Sequence, residues 1–449
     1  MLMLDISVIN TALSKIASGL HTGLGGLQWV VDAYTLPLAA TVLTAGVIAD
    51  RLGRRRLFVL GLGLFTAASA ACGAAGGIGM LVASRAVQGL GASILFATAL
   101  ALIAQVAPAG AQRAKALAAY GASIGVSFAI GPFVGGALTE GLGWRAIFLV
   151  NVPIGIAALW IALRRVGESR DPEARAVDWP GQATLIGGLF LLVLALLRGN
   201  GDGWASPGIV AAIAAGAALL AGFVAVERRS RAPMLPLRLF RDRVFTGAQI
   251  AVMTVAATFF AAFLYMTLYL QTVLGLSPIE TGLVYLPGTA LMFVVSGLTA
   301  QIGGRISPAK LVTAGLVLTS AGMILMLPTG TGSSWTVMLP GVLVGCLGLG
   351  IFNPAASGLA LSALPDRQSG LAAGANDTFR QTGVSLGIAA LGTLVPAGAA
   401  LGGDPQAYVN GFHHVLLVGG VIAALGALVT GALLIPLRGR GVEVAAEAA

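Results

Sequence analysis

The chain has 449 residues, of which 57% are hydrophobic and only 10% charged, and its mean hydropathy is +0.92. That leaves too little polar surface to coat a water-soluble globule of this length, so the solvent is lipid and no soluble domain has room to fold. A net charge of +9 and a pI near 10.2 suggest nucleic acid in a soluble protein, but here the basic residues sit between apolar runs and that partner is ruled out.

Apolar runs lie at about 1–17, 27–49, 57–76, 80–106, 115–138, 144–163, 180–197, 207–226, 244–271, 281–301, 308–327, 335–362, 369–395 and 411–436. Each is long enough to cross a hydrocarbon core of about 30 Å as a helix. The fold class is therefore an all-α polytopic membrane protein with about fourteen helices. The first run opens almost at Met1 and carries Asp5, with no basic tail before it. It lacks the charged n-region and A-x-A site of a signal peptide, so the reading is a first helix with about half of its length missing.

Arg51, Arg54, Arg55 and Arg56 follow the second run, Arg113 and Lys115 the fourth, and Arg164, Arg165, Arg170 and Arg175 the sixth. Six more arginines, from Arg228 to Arg243, follow the eighth, whereas loops 18–26, 74–79, 274–280 and 328–334 have no Lys or Arg. The positive-inside rule then places the ends of even-numbered helices, and both termini, in the cytoplasm. An Arg-, Ala- and Gly-rich composition suits a GC-rich bacterial genome and hence a bacterial cytoplasmic (inner) membrane. Connectors 164–179 and 227–243 divide the chain into an N-terminal six-helix bundle (1–165), two linker helices with flanking cytoplasmic loops (166–243), and a C-terminal six-helix bundle with a short tail (244–449). Cys72 and Cys346 fall inside spans and read as packing residues.

A repeat supports this division. Gly46, Asp50, Gly53 and Arg54 follow helix 2, and Gly297, Gln301, Gly303, Gly304 and Arg305 follow helix 10 with the same Gly, Gly and Arg spacing. Two related bundles rocking about a shared midplane site are the architecture this implies.

The loop Gly46, Asp50, Arg51, Gly53, Arg54, Arg55 and Arg56 closely resembles the signature between helices 2 and 3 of the major facilitator superfamily. The resemblance implies a cytoplasmic gate in which Asp50 pairs with arginines and a helix N-terminus and the glycines allow a tight turn; the bland alternative is a topogenic basic loop. Arg85, Gln88, Gly89, Gly91 and Ala92 resemble the helix 4 motif of proton-coupled members, in which the arginine assists proton release from a nearby carboxylate. Snorkelling to the interface is its alternative.

Gly131, Pro132, Gly135 and Gly136 resemble the helix 5 motif of antiporters, with Ser127 where a further glycine is usual. Leu4, Asp5, Asn10, Ala12 and Leu13 resemble the helix 1 motif of the fourteen-helix drug:proton antiporters of the EmrB/QacA type, with Ser14 in place of Pro. Helix 2 adds Trp29, Asp32 and Tyr34, and the acid there tilts the cargo toward cations. Asn376, Asp377, Phe379, Arg380, Gln381 and Gly383 resemble the helix 13 pattern. Asp377 and Arg380 share a face at a spacing that permits an ion pair, either for coupling or as a silent structural contact.

The expected function is proton-driven antiport that exports small hydrophobic or cationic compounds by alternating access. Charge inside a membrane is costly, so proton gain or loss at Asp5 or Asp32 is a strong lever on what else the cavity holds. Protonation from outside would displace cargo, and release inside would restore a cavity attractive to the next cation. Trp29, Tyr34, Phe260, Tyr265 and Tyr269, with Phe259 and Gln271, are candidates to line the pathway; lipid contact or an interfacial belt is the rival for the helix 9 aromatics. The alternatives are an exporter of a specific metabolite or self-made antibiotic, and a sugar or amino-acid carrier. The chain is not expected to be an enzyme: His21, His413 and His414 lie near outer boundaries, and G-x-x-x-x-G-K-[ST] is absent, so neither metal nor ATP is invoked. The partners are the bilayer, protons and a small-molecule cargo; an outer-membrane channel or adaptor stays open.

Overall fold

A computed structural model describes residues 1–106, 111–171, 176–302, 305–362, 364, 369–396 and 398–435, with helices and turns but no strand among them. Arg175, Gly303 and Gly304 of the sequence argument lie outside the described residues.

The described residues form fourteen long helical segments: α1 Leu2–Leu20, α2 Leu24–Leu52, α3 Arg54–Gly73, α4 Ile78–Val106, α5 Ala111–Leu142, α6 Ala146–Arg165, α7 Trp179–Asp202, α8 Pro207–Arg229, α9 Arg243–Val273, α10 Pro278–Ile302, α11 Pro308–Leu325, α12 Trp335–Ser362, α13 Ser369–Gly392 and α14 Pro405–Leu434. Twelve are long and apolar enough to cross a membrane, and the other two are α1 and α13. These two carry Asp5 and Lys15, and Asn376, Asp377, Arg380 and Gln381, which lower their hydropathy.

Helix starts follow local chemistry. Proline begins α8, α10, α11 and α14, where its missing N–H leaves no intrahelical bond unmade. The carboxylates of Asp178, Asp242 and Asp404 accept from backbone N–H groups in the first turns of α7, α9 and α14. Within α9, π turns at Ala256–Phe260 and Tyr269–Val273 flank the segment bearing Tyr265.

Among the first six helices α4 packs on α2 and α3, α1 on α5, and α3 on α6; among the last six, α12 packs on α10 and α11, and α14 on α9 and α11. The two sets meet along α2–α13 and α5–α10. Burial ranks the helices by position: 72% of the apolar window of α2 is enclosed, against 17% of that of α8, so α2 is interior and α8 faces lipid.

The α7–α8 hairpin closes one flank of the seam. Buried Gln182 of α7 donates to the Ala40 carbonyl of α2 at 2.9 Å and accepts from the Thr44 hydroxyl, while Asn200 near the other end donates to the Thr393 carbonyl beside α13 at 2.8 Å. The basic residues Arg51, Arg54–Arg56, Arg164, Arg165, Arg228, Arg229 and Arg305 gather where α2, α6, α8 and α10 end, which defines a basic end of the molecule.

Candidate functional site

In the first bundle Asp5 of α1 and Arg85 of α4 form an ion pair at 2.6 Å, each only 1% exposed. The second carboxylate oxygen, Oδ1, accepts from Gln88 of α4 and Asn151 of α6, both at 2.9 Å. Gln88 also donates to Ser69 of α3 at 2.8 Å. Arg85 is held further by the Val30 carbonyl at 3.0 Å, by Gln88 Oε1 at 2.8 Å and by the Tyr34 ring, whose centroid lies 4.2 Å from its guanidinium carbon. Snorkelling is therefore excluded for Arg85. A buried ion pair must have its remaining hydrogen-bond capacity filled to offset desolvation, and both oxygens of Asp5 are so filled.

Asp32 of α2 sits at the seam instead, with no exposure at all. Its Oδ1 accepts from Ser385 of α13 at 2.8 Å, and its Oδ2 has no hydrogen-bond partner among the described residues. One turn further from the basic end, Gln28 donates to the Tyr265 hydroxyl at 2.9 Å and to the Ile388 carbonyl at 3.1 Å, which links α2, α9 and α13. Two more cross-bundle links lie at this end. Ser14 of α1 donates to Gln271 of α9 at 2.5 Å and Gln271 returns a bond to the Thr11 carbonyl at 2.9 Å, while Glu140 of α5 accepts from the Ile279 N–H of α10 at 3.2 Å. These links join the two bundles at the end away from the basic loops.

Toward the basic end, Asp377 and Arg380 of α13 interact electrostatically with each other and with Tyr120 of α5 across the seam. No ion pair closes between Asp377 and Arg380 among the described residues, although their spacing permits one. Arg380 Nε is buried without a hydrogen-bond partner among the described residues.

In the gate loop Asp50 pairs with Arg54 at 2.8 Å, but it does not cap the next helix. Glu168 does so: its carboxylate accepts from the backbone N–H of Arg55 at 3.1 Å and of Arg56 at 3.3 Å at the start of α3. Gly53 makes the turn at φ 117°, and a Cβ there would meet the Glu168 carboxylate at 2.6 Å. Gly46 lies inside α2, where a Cβ would touch only Ala97 at 3.9 Å, so it contributes nothing to the turn. Arg51 is exposed.

The α5 motif is a two-sided packing surface. A Cβ on Gly135 would strike Val8 and Thr11 of α1 at 2.5 Å, and one on Gly131 would overlap Ser7. Gly136 packs on the Pro278 carbonyl and Ile279 of α10, and a Cβ on Gly282 of α10 would lie 2.5 Å from the Pro132 carbonyl oxygen in return. Pro132 lies inside α5, where its carbonyl forms part of this contact.

The candidate pathway aromatics divide. Phe260 of α9 meets Phe128 of α5 edge-on at 5.8 Å, and Tyr265 joins the seam network. The other three face elsewhere. Trp29 packs on Phe190 of the hairpin at 5.9 Å, Tyr34 lies under Arg85, and Tyr269 stacks on Phe412 at 5.2 Å and donates to the Gly330 carbonyl at 2.8 Å.

The sequence profile of the Major Facilitator Superfamily matches residues 1–388. The chain belongs to this superfamily. The multidrug resistance protein Stp of Mycobacterium tuberculosis (strain CDC 1551 / Oshkosh) is 36% identical over 400 residues, covering 88% of this chain and 74% of that protein. The tetracenomycin C resistance and export protein of Streptomyces glaucescens is 33% identical over 88% of this chain and 73% of its own length. The puromycin resistance protein pur8 of Streptomyces alboniger is 34% identical over 97% and 88%. In three dimensions the chain resembles a POT family transporter crystallised with a thioalcohol-conjugated peptide, with a TM-score of 0.66 at 14% identity over 96% of this chain and 95% of that one, a likeness of fold alone.

Several residues of this facilitator escaped sequence reasoning. Asn151 completes the Asp5 cluster, Ser385 holds Asp32, Gln182 fastens the hairpin and Glu168 caps α3. For Asn151 and Gln182 a signal existed: each is a lone amide in an apolar run, where a polar side chain calls for a partner. Ser385 and Glu168 carried none, since a serine in a Gly-rich helix and a glutamate in a charged connector are both ordinary.

Proposed function

We propose that this facilitator is a proton-driven antiporter of the fourteen-helix drug:proton type. It exports small hydrophobic or cationic compounds across a bacterial cytoplasmic membrane, with its basic end and both termini in the cytoplasm. The observation that carries the coupling is Asp32: a wholly buried carboxylate on the seam, with Oδ1 bonded across to Ser385 and Oδ2 unpartnered. Alternating access changes this seam, so the environment of Asp32 changes with it. A proton or a cationic cargo satisfies the free oxygen, and the two compete. The relatives' names, which speak of multidrug resistance and of antibiotic export, support the direction and the cargo class. The N-terminal bundle, the hairpin and the C-terminal bundle act as the three mechanical parts.

Everted vesicles with an imposed pH gradient, interior acid, are expected to accumulate ethidium. Asp32→Asn is expected to remove that accumulation, and accumulation equal to the parent's would eliminate Asp32 as the coupling group. A second reading, export of a specific self-made antibiotic, is favoured by the Streptomyces relatives named for tetracenomycin C and actinorhodin. It predicts efflux of one aromatic metabolite and no dye flux.

A further inference from the structure

At the basic end the connector that follows α8 and the last turn of that helix wall a hollow of about 850 Å³, lined by Arg228, Arg231, Arg238 and Arg241. We propose that this hollow binds the head-group phosphate of an anionic phospholipid in the adjoining leaflet, with the lipid's acyl chains lying along α8. The inference names a lipid partner and goes beyond the choice of cargo or coupling ion.

The fold sets the arginines in place. Buried Glu227 accepts from the backbone N–H groups of Met234 and Leu235, both at 3.2 Å, and so draws the connector against the end of α8, where Met234, Leu235 and Leu239 are buried. Leu237–Arg241 is a 3₁₀ turn, in which side chains three residues apart eclipse, so Arg238 and Arg241 stand on one face. The nearby acids are engaged elsewhere: Glu227 with the connector, and Asp242 with the Val244 and Phe245 N–H groups that begin α9. None of the four guanidiniums has an ion pair or hydrogen bond among the described residues, whereas Arg54, Arg56, Arg85 and Arg198 each have an acidic partner. Four unpaired guanidiniums around one hollow call for an anion, and their planar forks suit the oxygens of a phosphate.

A second, independent feature gives that anion an apolar tail. Val210, Ile213 and Val224 of the lipid-facing helix α8 are exposed, and their spacing of three and eleven residues places them on one face. Arg228 follows Val224 by one turn on the same face, so the apolar stripe runs into the hollow. Inorganic phosphate would meet the arginines alone. An anionic phospholipid matches both, with its head group at the depth where α8 leaves the hydrocarbon.

The test is lipid binding to the whole chain, delipidated in detergent and read one bound lipid at a time by native mass spectrometry. The first molecule of dioleoyl phosphatidylglycerol is expected to bind about tenfold more tightly than dioleoyl phosphatidylcholine, which has the same tails and phosphate but adds a cation. Arg238→Gln with Arg241→Gln should abolish that preference. Arg238→Lys with Arg241→Lys, which keeps the charge and loses the fork, should retain a preference of about threefold. Both positions are exposed, so these variants should melt like the parent in detergent. Arg164→Gln with Arg165→Gln, at the end of α6, should leave the preference unchanged. Glycerol 1-phosphate in large excess, a head group without tails, should not displace the bound phosphatidylglycerol. Equal binding of the two lipids by the parent, a preference that survives the two glutamines, an equal loss from the α6 pair, or displacement by glycerol 1-phosphate overturns the proposal. The measurement needs neither cargo nor a pH gradient, so none of these outcomes touches the antiport reading.

Discussion

Asp5 and Asp32 are both buried aspartates in adjacent helices, yet their surroundings differ in kind. Asp5 has both oxygens bonded, one to Arg85 and the other to Gln88 and Asn151, all within the first bundle. Asp32 has one oxygen bonded across the seam to Ser385 and one with no hydrogen-bond partner among the described residues. A carboxylate whose capacity is filled inside one rigid unit resists change; one left half-filled at a moving boundary is poised for it. Burial is common to both, so burial alone does not identify a coupling group.

The largest expected effect that sharpens this contrast is on transport. Asp32→Asn should reduce pH-driven dye accumulation to the level of vesicles lacking the protein while changing the melting temperature little, because Asn still accepts from Ser385. Asp5→Asn should act on the fold. Leaving Arg85 buried without its counter-charge is expected to destabilise by about 3–5 kcal/mol, read as a lower melting temperature in detergent, with recovery in the double variant Asp5→Leu, Arg85→Met. If the single variant melts like the parent, the pair is not structural and the contrast collapses.

Smaller effects test the seam and its flank. Gly135→Val places a branched side chain against Val8 and Thr11 of α1 and should lower stability by about 1–3 kcal/mol, the usual range for overpacking. Gly53→Ala forces a side chain into positive φ and into Glu168, and a loss of about 1–2 kcal/mol is expected; pairing it with Glu168→Ala should recover the steric part. Gln182→Leu removes two bonds from the hairpin to α2 and should cost about 1 kcal/mol or slightly more, with a transport rate close to the parent's.

Hydropathy displayed all fourteen helices as apolar runs, with α1 and α13 the least apolar, because polar residues such as Asp5, Asn376 and Asp377 depress their average. The Asp5, Arg85 and Gln88 segments were visible as separate motifs, and their convergence was not, since helical periodicity names a face and not the neighbour across from it. The same limit explains Trp29 and Tyr34. Both stand on the α2 stretch that carries Asp32, and the structure turns one toward the hairpin and the other under Arg85. Asp50 shows a different limit: its loop was recognisable, but the helix cap came from Glu168, more than a hundred residues later.

The hairpin helix α7 grips α2 at Gln182 and the end of α13 at Asn200, eighteen residues along, or roughly 27 Å of helical rise. A stiff rod pinned to one bundle near its first end and to the other near its far end acts as a diagonal brace. It opposes sliding of the halves past each other along the membrane normal, and it leaves them free to pivot about its own length.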